Sequence, residues 1–170
     1  MNLNKNLVFL GMMGSGKSSI GSLVSKKLNL PFIDIDGLIE KNTGMTISEI
    51  FDKKGENYFR SLEEKITLKS LKKNKNVISL GGGGFINTKI RKEIIANHFS
   101  FWLNWGETIL TNRIKNSKKR PLAFKSTEQE IRVIIKNRSK IYANAQFKIN
   151  CNKLTKTEIV KKIINLYELN

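Results

Sequence analysis

Gly11-Met12-Met13-Gly14-Ser15-Gly16-Lys17-Ser18 stands between the apolar run Leu7-Val8-Phe9-Leu10 and a stretch whose Ile20, Leu23, Val24 and Leu28 fall on one helix face. The spacing is G-x-x-x-x-G-K-[ST], in the strand, loop, helix order that gives this motif its meaning. Glycines let the backbone turn its N–H groups inward on phosphate oxygens, and the helix that follows adds the positive end of its dipole. A nucleoside triphosphate is therefore expected on Gly14, Ser15, Gly16, Lys17, Ser18 and Ser19. Lys17 is placed for the β- and γ-phosphates and the Ser18 hydroxyl for Mg²⁺.

Apolar strands alternate with helical patterns along the rest of the chain. Strands are expected at Leu7–Leu10, Phe32–Ile35, Val77–Leu80, Phe99–Leu103 and Phe147–Ile149. Helices are expected near Lys17–Leu28, Thr46–Lys53, Asn57–Lys72, Lys89–Ala96, Glu107–Lys115, Glu128–Asn144 and Lys156–Leu169. Three of these starts carry a Thr-x-x-Glu capping box, at Thr46, Thr127 and Thr155. Such alternation predicts an α/β fold with a parallel sheet covered on both faces, and ligands at the carboxyl ends of its strands.

The 170 residues suit one domain, 1–170. Cys151 is the single cysteine, which leaves no disulfide framework and fits a reducing compartment. No apolar run approaches a membrane span, and the first residues lack a signal-peptide core, so a cytoplasmic protein without a membrane partner is expected. The formal charge of +17 invites a nucleic-acid reading. Yet the lysines are dispersed and accompanied by abundant Asn and Ile, residues that share A/T-rich codons. No aromatic-interleaved basic motif accompanies them, so no specific nucleic-acid partner is expected. An RNA-binding protein that uses ATP only as a switch is the alternative from a different class; its binding would survive physiological salt.

Two of the three aspartates, Asp34 and Asp36, end the second apolar run. Residues two apart along a strand share a side, and like charges there need a cation or ligand between them. Asp34 is assigned to the magnesium shell. Asp36 is assigned to a second substrate, where it accepts a hydroxyl proton. The plainer alternative is a helix cap at Asp36 and a turn at Asp34.

Against 25 lysines stand six arginines, which matter where a planar fork must hold carboxylate or phosphate. Arg60, Arg120 and Arg138 fall in segments that reach a cleft, and Arg113 precedes the basic stretch Asn116–Ser126, read as a mobile flap. Arg91 and Arg132 read as surface residues. Gly81-Gly82-Gly83-Gly84 follows the third strand and offers bare backbone to a ligand. His98 reads as structural, and Trp102 and Trp105 as packing.

Taken together, Gly11–Ser18, Asp34-Ile35-Asp36, Gly55-Glu56 with Phe59-Arg60 and Glu63, Leu80-Gly81-Gly82-Gly83, Arg120-Pro121-Leu122, and Arg138 with Tyr142 resemble a shikimate kinase. This family is a small member of the nucleoside-monophosphate-kinase-like P-loop group, and the likeness runs from Leu7 to about Phe147. The resemblance implies a three-layer αβα fold with a five-stranded parallel sheet of order 2-3-1-4-5 and a small lid at about 116–126. It implies transfer of the γ-phosphate of ATP to the 3-hydroxyl of shikimate, with Mg²⁺, in a monomer. Lys17, Asp36 and Arg120 would then be catalytic. Asp36 would hold the shikimate hydroxyls and Arg60 and Arg138 its carboxylate, with Glu63 orienting Arg60. Gly81, Gly82 and Gly83 would add backbone contacts, Phe51 and Phe59 would wall the pocket, and Arg113 would lie along the adenine. Gly84, where the family usually has a small apolar residue, and the basic Lys118-Lys119 depart from the pattern. A gluconate kinase of the same architecture is the nearest alternative, since gluconate is also a polyhydroxy carboxylate.

Overall fold

The computed structural model describes residues 4–116 and 126–170. Five strands, β1 (Leu7–Leu10), β2 (Phe32–Asp34), β3 (Val77–Ser79), β4 (Phe99–Asn104) and β5 (Phe147–Asn150), form one sheet of order β2-β3-β1-β4-β5. Every pairing is parallel.

The central strand explains the layers. All four β1 side chains are fully buried, and successive ones point to opposite faces. Leu7 and Phe9 join one core with Ile20 and Val24 of α1 (Lys17–Leu28) and Ile159 and Ile163 of α7 (Lys156–Glu168). Val8 and Leu10 join the other core, built with α2 (Ile35–Thr43), α3 (Ile47–Leu71), α4 (Thr88–Asn97), α5 (Glu107–Lys115) and α6 (Glu128–Tyr142). Burying each such side chain contributes about 1.5–3 kcal/mol. A helix cap contributes about 1 kcal/mol, so two-sided burial rather than capping selects this arrangement. The capping boxes at Thr46, Thr127 and Thr155 all form, each with both reciprocal hydrogen bonds.

One expectation needs correction. The strand expected at Phe32–Ile35 stops at Asp34, and α2 begins at once, a helix missing from the expected elements and only implied by the alternative of a cap at Asp36, two residues further on. Asp34 is its N-cap, accepting from the Gly37 N–H at 3.3 Å. Ile35 and Ile39, one helical turn apart, are its fully buried face. Asp34 and Asp36 are therefore not alternate residues of one strand. The glycine run ends in a 3₁₀ turn, Gly84–Ile86, with Gly84 N–H donating to Gly81 O at 3.1 Å.

The segments expected at Thr46–Lys53 and Asn57–Lys72 merge into α3, with Thr46 and Lys72 as its caps, and α3 breaks at Gly55 (φ 82, ψ 167). That break brings the Phe51 and Phe59 rings to 4.8 Å between centroids. Of the stretch 116–126, only Asn116, the cap of α5, and Ser126 belong to the described residues; Arg120 lies outside them, as do Lys118 and Lys119.

Candidate active site

Three segments meet at the carboxyl edge of the sheet: the loop between β1 and α1, the start of α2, and the glycine run after β3. The first is a phosphate cradle. Gly14 and Gly16 hold φ of 81 and 87, which admit the turn, and Gly16 N-caps α1 without any side chain in the way. The Lys17 side chain is buried and folds back on the loop, its Nζ donating to Gly11 O at 2.9 Å and Met12 O at 3.0 Å. Its charge is thereby stationed inside the cradle.

Oxygen-bearing residues stand on the neighbouring segments. Ser18 Oγ lies 3.4 Å from Ser79 Oγ, and Ser79 pairs in register with Asp34. Two hydroxyls and a carboxylate are the hard donor set that Mg²⁺ takes alongside phosphate oxygens. Ser79 was not singled out from the sequence, because its place here comes from cross-strand register, which only the sheet order supplies.

A second part of the site is built around Gly81. An added Cβ there would lie 2.6 Å from Asp36 Oδ1 and 2.6 Å from Glu63 Oε1, so both carboxylates point at one spot that only glycine leaves clear. At Gly82 an added Cβ would lie 3.1 Å from the Met13 nitrogen, which seats the glycine run against the phosphate loop. Burial pushes the Asp36 carboxyl up to about 6; Lys17 opposes this, while Glu63, Asp34 and Glu40 add to it. A carboxylate that gains protons so readily suits a proton acceptor working near neutrality.

Arginines flank this point. Arg60 donates from Nη1 to Glu63 Oε2 at 2.7 Å and from Nε and Nη2 to Glu56 Oε1 at 3.2 Å. Its guanidinium packs against Gly83 and lies 5.0 Å from the Phe59 centroid. Arg138 donates to Gly82 O at 3.3 Å, and Tyr142 Oη to the same oxygen at 2.5 Å. Tyr142 is buried, and that burial pushes its hydroxyl up to about 12, so it stays a donor at any working pH. The structure thus gathers Asp36, Arg60, Glu63, Gly81, Gly82, Gly83 and Arg138 on one side of the cradle. Phe51 and Phe59 stand behind Arg60.

Arg113 sits on the opposite side, its guanidinium 3.9 Å from the Trp105 centroid and its Nη1 3.4 Å from Gly14 O. Trp102 packs as expected, but Trp105 does more, because its indole N–H donates to Ser15 O at 2.8 Å. Arg91, read as a surface residue, donates to Phe85 O and Ile86 O at 3.1 and 2.9 Å and holds the 3₁₀ turn behind the glycines. Arg132 does lie outside the site, paired with Glu107 and Glu128.

The shikimate kinase family model matches residues 13–168. The shikimate kinase of Thermodesulfovibrio yellowstonii is 40% identical over 165 residues, covering 96% of this chain and 95% of that protein. The structure of the shikimate kinase from Acinetobacter baumannii in complex with shikimate matches with a TM-score of 0.92 at 28% identity, over 99% of this chain and 96% of that one. A gluconokinase from Sinorhizobium meliloti 1021 matches with a TM-score of 0.55 at 16% identity, over 99% and 98% of the two chains, and shares the fold alone. Matched by that family model over residues 13–168 and by such relatives almost end to end, the chain belongs to the shikimate kinase family.

Proposed function

We propose that the two halves of this site work as donor and acceptor sides of one phosphoryl transfer. The chain is a kinase of shikimate: ATP gives its γ-phosphoryl group to the 3-hydroxyl, forming shikimate 3-phosphate and ADP on the route to chorismate and the aromatic amino acids. The observation that carries the residue assignment is the convergence of Asp36 and Glu63 on Gly81, with Arg60 beside them.

Shikimate offers a carboxylate at one end of its ring and hydroxyls at the other. Arg60 and Arg138 bind the carboxylate, since a guanidinium holds two oxygens at once. Gly81, Gly82 and Gly83 let the ring approach backbone closely. Asp36 then receives the 3-hydroxyl, fixes its orientation and accepts its proton as the oxygen attacks. Gly14, Ser15, Gly16, Ser18 and Ser19 cradle the phosphates, and Lys17 moves from the loop carbonyls to the transferring oxygens. Arg113 lies along the adenine. Ser18 and Asp34 would hold Mg²⁺, which when bound would neutralise charge on the phosphate oxygens. Arg120, in a lid at about 116–126, adds charge at the transferring group and excludes water.

A monomer, built as one P-loop kinase domain over 1–170, is proposed for the working enzyme. Among the described residues, the large exposed apolar side chains Leu23, Tyr58, Ile95, Val133 and Leu169 lie far apart in sequence. Among the same residues, no helix is long and apolar enough to cross a membrane. A cytoplasmic location suits the free Cys151.

ADP release from Mg·ATP, measured in parallel with shikimate, gluconate or no acceptor, tests the acceptor. Turnover with shikimate alone is expected. Comparable turnover with gluconate would overturn the specificity argument while leaving the kinase chemistry. Light scattering on an eluting peak tests the monomer.

A further inference from the structure

Two tryptophans near the carboxyl end of β4, Trp102 within it and Trp105 just past it, have different tasks. Trp102 is buried and tilts against Tyr142, with 6.1 Å between ring centroids. Trp105 is half-buried just past the strand end and packs against the apolar cores on both faces of the sheet. The next residue is tethered too, Gly106 N–H donating to Asn152 Oδ1 at 2.6 Å. Trp105 is thus fixed by three separate parts of the fold.

From that position it grips the phosphate loop. Its indole N–H donates to Ser15 O at 2.8 Å. The Ser15–Gly16 peptide is planar and trans, so holding its carbonyl on one side turns the Gly16 N–H to the other. The same indole carries the Arg113 guanidinium at 3.9 Å, and Arg113 donates toward the neighbouring carbonyl, Gly14 O, at 3.4 Å. A guanidinium stacked on an aromatic ring loses rotamer freedom and presents its other face as a flat platform.

We propose that Trp105 is a positioning residue for ATP: through Ser15 it sets the phosphate loop, and through Arg113 it presents a pre-stacked surface to the nucleobase. This rests on the assignment of Arg113 to the adenine made above. Trp105 touches neither substrate; it spares ATP the ordering of both the loop and the arginine, which raises affinity by preorganisation.

The test compares Trp105→Ala, Trp105→Phe and Arg113→Ala in the intact chain. Each is assayed for kcat, the KM of ATP, the KM of shikimate and competitive inhibition by inorganic tripolyphosphate, which has phosphates and no base. Phe keeps the ring and lacks the N–H. Trp105→Phe is expected to weaken ATP and tripolyphosphate equally, by about threefold, because the loop contact alone is lost. Trp105→Ala is expected to raise the KM of ATP about tenfold, and to weaken tripolyphosphate less than ATP, with the KM of shikimate within about twofold. Wild-type ATP values in both Trp105 variants, with a raised value in Arg113→Ala, overturn the role of Trp105 and leave the Arg113 assignment standing. Wild-type ATP values in all three overturn that assignment as well. Equal losses for ATP and shikimate in both Trp105 variants reduce Trp105 to a folding role and overturn the proposal.

Discussion

Arg60 donates to Glu63 at 2.7 Å across one turn of α3, and the two are buried unequally: the Glu63 side chain is 3% exposed, that of Arg60 30%. The buried carboxylate is the fixed partner and the guanidinium the oriented one. Glu56, 55% exposed, holds the other edge at 3.2 Å. Exposed pairs contribute little, whereas a buried charge-assisted bond sets geometry. Glu63→Gln is therefore expected to raise the KM of shikimate about tenfold, and Glu56→Gln less than about twofold, with the KM of ATP unmoved in both. Arg60→Lys should also raise the KM of shikimate, because one point charge replaces a two-bond fork. Initial rates against each substrate decide it. Equal loss for both substrates would mean a damaged fold instead.

The glycine run yields opposite results at its two ends. At Gly81 an added methyl would lie 2.6 Å from both Asp36 Oδ1 and Glu63 Oε1, so two carboxylates must move. At Gly84 the nearest atoms would be Leu80 Cβ at 3.5 Å and Glu63 Oε1 at 3.6 Å, which is ordinary contact. Gly81→Ala is expected to lower kcat/KM for shikimate about a hundredfold while ATP still binds. Gly84→Ala is expected to keep activity and gain about 0.4–1 kcal/mol of stability, since it narrows the unfolded chain at a site with room for a methyl. Urea unfolding and steady-state rates on both variants make the comparison.

Asp36 carries a conflict between stability and catalysis. Its carboxyl titrates at about 6 in the fold because of burial, against 3.8 as a free side chain. Between those values the folded chain keeps a proton that the unfolded chain has lost. The associated stability is full below 3.8 and is lost as pH rises through about 6. Asp36→Asn removes the buried anion. Without ligands it is expected to melt about 3–6 °C above the wild type at pH 8, a gap that closes as pH falls toward 4. The same variant should bind ATP normally and lose about 10²–10⁴ in kcat, the range for a general base. A variant with undiminished kcat would remove Asp36 from the chemistry.

What could be read along the chain was what neighbours in sequence determine. The strand, loop, helix order around Gly11–Ser18, the three capping boxes and the interruption between Lys53 and Asn57 depend on residues within a few positions, and the structure has each of them. The misreading at Asp34 arose where two local rules compete. Asp34-Ile35-Asp36 continues a strand by alternation, but Asp34 also caps a helix whose Ile35 and Ile39 need burial. Tertiary burial decided it, and Gly44 in the left-handed region at the helix end was the available signal. Trp105, Arg91 and Ser79 were missed for another reason. Their partners lie on other elements, as with Trp105 and Ser15, so neither composition nor spacing marks them.

The opposite edge of the sheet provides a control in which stability and function separate. His98, buried just before β4, accepts at Nδ1 from the Asn6 N–H at 3.4 Å. Its Nε2 has no hydrogen-bond partner and lies 3.8 Å from Glu93 Oε1. Burial holds its pKa below the ordinary 6.5; Glu93 pulls upward and Lys5 adds to the depression. Protonation would also turn Nδ1 into a donor facing the Asn6 donor. The unfolded chain therefore takes up the proton first. The stability from neutral His98 is full above 6.5 and is lost as pH falls through the lower folded value. This sign is opposite to that of Asp36, so the two are separated by difference. The urea midpoint of wild type minus that of His98→Gln is expected to shrink as pH is lowered from 7.5 to 5.5, with Asp36 cancelling between the two proteins. The KM values of ATP and shikimate should not change in His98→Gln at pH 7.5, because Asn6 and His98 precede β1 and β4 at the amino edge, whereas the proposed substrate sites lie at the carboxyl edge. A pH-independent difference would mean that His98 contributes packing alone.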